Sequence, residues 1–240
     1  MTLDDLQAWA DELAASGLSP APQAQRLTAV KSLFSFGHTF GVLPINAGAA
    51  LRVPARRCCL AEHILPEAGV HRLRALETKP RNHALLRLLY ASGLRVSEAT
   101  ALRWRDCVEA GDAGQATVWG KGDKERTVRL PAGVWAELQG LRAGAGDDAP
   151  VFRSRRWGGS LDRSQAERIV RAAPQRAGIT APVSPHWLRH ALASDALDRG
   201  CPIHVLQQTL GHSSPATTSK YSHARPGDSP GSTSPCSSCR

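Results

Sequence analysis

Apolar residues recur at three- and four-residue intervals along most of this 240-residue chain, in short runs that end near glycine or proline. This spacing is that of one face of an α-helix, and glycine or proline commonly follows the last helical turn. The first run, residues 3–16, ends before Gly17, and a second covers residues 22–41. The pattern predicts a mainly α-helical protein, and the length is enough to bury a core in one large or two small domains.

One stretch breaks this helical pattern. Residues 116–120 and 126–131 are rich in Val and Thr and flank a glycine-containing turn, which is typical of a β-hairpin. Lys121 lies at the start of its tip. The remaining runs predict helices over residues 83–92, 96–104, 131–143, 163–178, 186–198, 202–210 and 214–222, with Pro174 expected to kink or shorten one of them. The predicted fold class is mainly α with a small β-hairpin or sheet.

The charge balance favours a polyanionic partner. Thirty Lys and Arg residues oppose 21 Asp and Glu residues, a formal net charge of +9. Only five of the basic residues are Lys, and the planar fork of Arg binds two phosphate oxygens at once. Nucleic acid is the first expectation and an acidic membrane surface the second. A codon preference for Arg in a GC-rich genome explains the same surplus equally well.

Cysteine usage and hydropathy indicate a cytoplasmic protein without a membrane segment. No stretch has the apolar length that spans a bilayer, and the acidic, amphipathic start is unlike a signal peptide. The six cysteines stand at scattered positions that do not suggest a disulfide framework. They are residues 58, 59, 107, 201, 236 and 239.

Four short strings carry the chemistry. In chain order they are GLRVSEA (93–99), GKGDKERTV (120–128), SPHWLRH (184–190) and LGHSSPATTSKYSH (210–223). Each string alone is a weak signal. Together, in this order and with a hairpin beneath the lysine, they resemble the signature of the tyrosine recombinase (integrase) family, nearest to its Xer-type and phage-type members. The resemblance covers about residues 1–223.

The resemblance implies a catalytic role for six residues. Arg95 and Arg189 match the two arginines that clamp the scissile phosphate, and His186 matches the residue that contacts the phosphate and assists proton transfer from the tyrosine. Tyr221 matches the nucleophile that forms a 3′-phosphotyrosyl bond. Lys121 matches the general acid for the leaving oxygen, and His212 matches a further hydrogen-bond donor to the phosphate. No cofactor and no metal are expected, because the guanidinium groups supply the positive charge.

Several of these residues have simpler interpretations. Arg95 taken alone is a surface arginine, and Lys124 is a rival for the role of Lys121. His186 and His190 stand at a spacing that can hold zinc, but no glutamate lies between them and the neighbouring arginine would repel a cation.

Other polar and aromatic residues near the motifs are interpreted as structural. Glu98 is taken as a structural partner of the helix that carries Arg95, and Tyr90 as a core residue. Trp104, Trp119 and Trp187 are interpreted as packing residues rather than platforms on which bases stack.

The resemblance also predicts the domain organisation. Residues 1–45 match part of a helical core-binding (DNA-clamp) domain, whose first helices are missing here, and residues 46–60 form a basic linker. Residues 61–223 correspond to the catalytic domain, and the Ser/Pro-rich residues 224–240 are predicted to be a disordered tail. Family members continue past the tyrosine into a helix that docks on a neighbouring subunit, for which this tail has no equivalent.

The leading expectation is a site-specific recombinase or integrase that cuts and rejoins double-stranded DNA, with a homotetramer on DNA as in full-length family members. Two alternatives stay open. One is a shortened remnant that binds DNA without recombining it, and the other is an enzyme that relaxes DNA like a type IB topoisomerase.

Overall fold

The structure, a computed structural model, describes residues 2–54, 64–120, 125–155 and 158–211. The chain divides into two compact units, Met1–Cys58 and Cys59–Arg240. None of the helices in these described ranges is both long and apolar enough to cross a membrane.

The first unit contains two helices, α1 (Leu3–Ala15) and α2 (Pro20–Thr39), followed by a short 3₁₀ helix at Ala47–Ala50. A capping box starts α1: the Thr2 hydroxyl accepts from the Asp5 amide, and the Asp5 carboxylate accepts from the Thr2 amide. The core of this unit contains Leu6, Phe34 and Leu51. Both predicted helices are therefore present, with bounds shifted by one or two residues.

The second unit contains seven described helices and one sheet. The helices are α3 (Glu67–Ala75), α4 (Pro80–Ser92), α5 (Val96–Ala101), α6 (Ala132–Arg142), α7 (Arg163–Arg176), α8 (Pro185–Asp198) and α9 (Ile203–Leu210). The strands are β1 (Cys107–Ala110), β2 (Ala113–Trp119) and β3 (Glu125–Leu130). The leucines of α4 lie in the main core, with exposed fractions of 1% or less. The other described helices of the unit except α9, together with β3, pack against this helix.

The sheet is antiparallel in the order β1-β2-β3, which confirms the predicted hairpin and adds a strand before it. The last two residue pairs between β2 and β3 are Val118 with Arg126 and Trp119 with Glu125. They lie at the base of the connection that carries Lys121. The inward face of β3 carries Val128 and Leu130, both buried. The sheet thus presents the lysine-bearing connection at one end.

The helix predicted over residues 96–104 is shorter in the structure. α5 stops at Ala101, and Trp104–Asp106 form a separate 3₁₀ turn. The chain leaves the helix because Leu102 accepts a hydrogen bond from the Val151 amide, at 2.9 Å, and Trp104 donates one to Ala149. Pairing with a distant segment thus replaces the last helical turn.

Candidate active site

A tight turn after α4 presents Arg95. Gly93 ends this helix with φ +61, a conformation that favours glycine. A Cβ at this position would lie 2.7 Å from Leu210 Cδ2 and 2.8 Å from Leu192 Cδ2. A side chain here would be strained by the positive φ and would displace the two leucine side chains, so this turn favours glycine. Arg95 then becomes the residue that precedes α5.

Arg95 is held by Glu98, three residues further along. The backbone amide of Arg95 donates to Glu98 Oε2 at 2.7 Å, and its guanidinium donates to Glu98 Oε1 at 2.8 Å. The Arg95 side chain is 34% exposed, whereas that of Glu98 is 5% exposed. The interpretation of Glu98 as a structural partner of this helix is confirmed.

Glu98 also binds a second arginine, Arg126 of β3. The two terminal nitrogens of Arg126 donate to the two carboxylate oxygens of Glu98, at 2.9 and 2.8 Å. Burial opposes ionisation of this carboxyl, but hydrogen bonds from Arg126 and Arg95 outweigh it and lower the pKa of Glu98. Glu98 is therefore an ionised anchor between two guanidiniums.

Arg189 of α8 is buried, with 5% of its surface exposed. Its terminal nitrogens donate to the backbone carbonyls of Gly93 and Leu210, at the ends of α4 and α9. Terminal carbonyls of helices lack intrahelical partners, and they carry the negative end of the helix dipole. Arg189 thus ties the residue two places before Arg95 to the residue two places before His212.

Arg95, His186 and Arg189 line one cleft of about 360 Å³. Its walls come from the turn before α5, from one face of α7 and from the start of α8. The ionisable lining residues are four arginines, one histidine and one glutamate: Arg95, Arg163, Arg171, Arg189, His186 and Glu167. The cleft is strongly electropositive and suits an anionic group such as a phosphodiester.

His186 stands at the rim of this cleft, in the first turn of α8. The protein atoms around its ring desolvate it and, with the positive charges of Arg189 and Arg95, lower the pKa of His186. Glu167 acts in the opposite direction but more weakly. The imidazole is therefore neutral at pH 7 and can accept a proton.

The other three residues of the predicted site, Lys121, His212 and Tyr221, lie outside the described residues, and so does the predicted helix over 214–222. Their neighbours in the chain are described. β2 ends at Trp119 and β3 begins at Glu125 on either side of the Lys121 segment. Among the described residues, the structure thus brings together three members of the six-residue set.

Sequence reasoning missed the part that α7 contributes. Arg163, Glu167 and Arg171 follow one another at four-residue intervals, which places them on one face of a helix, and all three line the cleft. Arg163 donates to Glu167 at 2.9 Å. The i, i+4, i+8 spacing of these residues could have predicted a charged face on a helix. Nothing in the local sequence, however, indicates which part of the protein this face contacts. The contacts of Arg126 had no local signal.

The structure also tests the interpretations of the aromatic residues. Tyr90 is buried and donates to Asp195 at 2.7 Å, which confirms it as a core residue. Trp104 is buried, but Trp119 is 52% exposed, so its interpretation as a packing residue was wrong. Trp119 points outward because it alternates with the buried Val118 at the end of β2.

Metal binding was the other interpretation of this region. Among the described residues no group of three His, Cys, Asp or Glu side chains is placed to hold a metal ion. The rings of His186 and His190 lie with centroids 6.3 Å apart.

The match to a family model decides the assignment: the model of the phage integrase family matches residues 67–227. The chain belongs to the phage integrase family. This confirms the predicted resemblance to tyrosine recombinases. It accounts for the order of the four strings, since the match extends from before GLRVSEA to beyond Tyr221.

Curated relatives of this integrase-family chain include tyrosine recombinases of the Xer type. Tyrosine recombinase XerC of Xanthomonas campestris pv. campestris is 37% identical over 212 residues, covering 86% of this chain and 65% of the relative. Tyrosine recombinase XerC of Xylella fastidiosa is 34% identical over 226 residues, covering 91% of this chain and 75% of the relative. The chain thus spans 65% of the length of the Xanthomonas relative.

Solved structures agree with the family assignment. The crystal structure of XerA recombinase is 29% identical, with a TM-score of 0.61, and the match covers 95% of this chain and 80% of that one. A lambda integrase dimer bound to a COC′ core site is 18% identical, with a TM-score of 0.70 and coverage of 94% and 65%. This second match concerns the fold alone, and it confirms the predicted mainly helical fold class.

Proposed function

We propose that this protein is a site-specific DNA recombinase that cuts and rejoins double-stranded DNA through a 3′-phosphotyrosyl intermediate on Tyr221. The observation that carries the proposal is the convergence of Arg95, Arg189 and His186 on one electropositive cleft. These residues come from two distant strings of the sequence, and the cleft suits a phosphate.

The proposed reaction is a displacement at phosphorus. The Tyr221 phenol oxygen attacks the scissile phosphate, a new P–O bond forms to the tyrosine, and the bond to the 5′-oxygen breaks. Neutral His186 takes the phenolic proton and Lys121 gives a proton to the leaving oxygen, so the protons balance. A 5′-hydroxyl of a second strand reverses the step. It needs no nucleotide cofactor because the ester keeps the energy of the cut bond.

The two arginines act on the charge that develops on the non-bridging oxygens. Their guanidiniums are fixed before the substrate arrives, Arg95 by Glu98 and Arg189 by two backbone carbonyls. Fixed donors stabilise the transition state without reorganising, and loss of one such donor typically slows a reaction by about 10²–10³-fold. His212 is proposed to donate a further hydrogen bond to the phosphate.

We further propose that the substrate is double-stranded DNA bound by a homotetramer, in the cytoplasm. The positive charge of the cleft supports a DNA partner. Solved structures with related folds include XerH bound to its difH substrate and a lambda integrase dimer on a core site. Residues 1–45 are proposed to contribute to the DNA clamp, and residues 61–223 to form the catalytic domain.

The test is covalent trapping. A duplex with a nick next to the scissile phosphate loses its short cleaved fragment by diffusion, so a cleaving enzyme accumulates as a protein–DNA adduct. The proposal expects an adduct with the native chain and none with Tyr221→Phe. Binding without an adduct would identify a non-recombining remnant, and relaxation of plasmids that lack any specific site would identify a topoisomerase-like activity.

A further inference from the structure

Arg126 connects three elements of the second unit through one largely buried guanidinium. It belongs to β3, and its two terminal nitrogens hold the Glu98 carboxylate of α5. Its Nε donates to the carbonyl of Thr209, in the last turn of α9, at 3.1 Å. The Arg126 side chain is only 12% exposed. All three contacts therefore lie in a desolvated setting, where hydrogen bonds to a charged group are strong.

Each of these elements leads directly to a residue of the proposed site. β3 follows the segment that contains Lys121, and Glu98 holds the guanidinium of Arg95. Thr209 lies in the last turn of α9, and Gly211, which caps this helix, directly precedes His212.

Gly211 makes the packing against Arg126 close. It has φ +62, and a Cβ at this position would lie 3.1 Å from three atoms of the Arg126 side chain. Arg126 is thus packed against the backbone turn from which the segment with His212 and Tyr221 departs.

Arg126 also offsets the charge of Glu98. The single negative charge of Glu98 faces two guanidiniums, since Arg126 donates to both of its oxygens and Arg95 donates to one of them. Without Arg126, Arg95 alone would oppose this charge, and the net positive charge around Arg95 would be lower by one.

We infer that Arg126 is a positioning residue for DNA cleavage. It fastens β3, which follows the segment with Lys121, and the end of α9, which precedes the segment with His212 and Tyr221, to the Arg95–Glu98 pair. Arg126 does not line the cleft; its donors point to Glu98 and Thr209, so it acts through other residues. The inference rests on the proposed function. It adds a residue to the six that the sequence motifs indicate.

The experiment compares Arg126→Gln and Arg126→Lys with the control Arg129→Gln. Arg129 lies three residues further along the same strand, on its exposed outer face, so its replacement removes the same charge without touching the cluster. Adduct formation on the nicked duplex is measured at saturating DNA, together with the DNA dissociation constant and the melting temperature. Hydrogen exchange is followed over residues 120–125 and 209–212.

Arg126→Gln should slow adduct formation at saturating DNA by about hundredfold, the typical cost of displacing reacting groups by about 1 Å. Its DNA affinity should change no more than that of Arg129→Gln. Arg126→Lys keeps the charge, but its single ammonium nitrogen cannot replace the three guanidinium nitrogens that hold Glu98 and Thr209 in a fixed plane. This variant should therefore remain at least about tenfold slow while restoring the melting temperature. Amide exchange should rise in both peptide segments of Arg126→Gln and stay unchanged in the control.

The inference would be overturned if the cleavage rate of Arg126→Gln fell only in proportion to its folded fraction. It would also be overturned if that rate fell no further than the rate of Arg129→Gln. Unchanged exchange in either segment would overturn it as well. If the native chain forms no adduct, the proposed function fails, whereas the exchange measurement still decides whether Arg126 positions these segments.

Discussion

Replacing Arg95 and replacing Arg189 should affect stability to different extents while both slow cleavage, because the structure holds these two side chains in different ways. Arg189 is buried and makes two hydrogen bonds to backbone carbonyls. Each hydrogen bond from a charged donor contributes about 1.5–3 kcal/mol, so Arg189→Ala should lower the free energy of unfolding by about 3–6 kcal/mol. Arg189→Lys keeps the charge and reaches one carbonyl at most, which predicts a loss of about 1.5–3 kcal/mol.

Arg95→Ala should cost far less. Its side chain is 34% exposed, and its partner Glu98 keeps both hydrogen bonds from Arg126 when Arg95 is removed. A partly exposed ion pair of this kind contributes about 1 kcal/mol or less. Under the proposed function, Arg95→Ala and Arg189→Lys should nevertheless both slow cleavage by at least about 10²-fold, since each removes a guanidinium that is proposed to stabilise the phosphate.

The assay pairs urea unfolding with adduct formation on the nicked duplex. Urea midpoints with unchanged slopes report stability, and cleavage is measured where every variant is folded. Arg163→Gln is the comparison for the loss of one positive charge from the same cleft, because within the described part of the chain Arg163 forms an exposed ion pair with Glu167. Equal destabilisation by Arg95→Ala and Arg189→Ala would refute the structural reasoning. Cleavage that survives either change within about tenfold would refute the assignment of the clamp.

Three further predictions follow. Burial and positive neighbours lower the pKa of His186 below the usual histidine value of about 6.5, so the cleavage rate should be constant above pH 6.5 and fall only below the lowered pKa. This fall at acid pH should vanish in His186→Asn. A fall centred above pH 6.5 would contradict the assignment. Lys121→Ala should cleave ordinary DNA poorly, but its cleavage rate should recover on a duplex with sulfur at the 5′-bridging position, since a thiolate leaves without a proton. If Lys124→Ala recovers on this duplex instead, Lys124 is the general acid. Tyr90→Phe removes the buried hydrogen bond to Asp195, so it should lower the free energy of unfolding by about 1–3 kcal/mol. The cleavage rate of the folded protein should stay unchanged, and a slower rate would give Tyr90 a role beyond the core.

The helices and the hairpin could be predicted from the sequence because their signals are local. Helical periodicity, the glycine at position 93 and the Val/Thr-rich runs act over a few residues, and the structure follows them to within a few positions. The exceptions are instructive. α5 lost its last turn to a pairing with residues 149–151, and β1 was missed because its four residues acquire strand character only beside β2.

The residue types available for phosphate chemistry can be read from the amino-acid sequence, through strings that resemble a known family. Their surroundings follow from the folded chain alone. Arg189 became a buried donor to two helix ends, Glu98 became an anchor shared with Arg126, and α7 added two arginines to the cleft. The physical reason is that charges and hydrogen bonds act through space over a few ångströms. Their partners here lie 28 and 96 residues apart along the chain, beyond the reach of any local pattern.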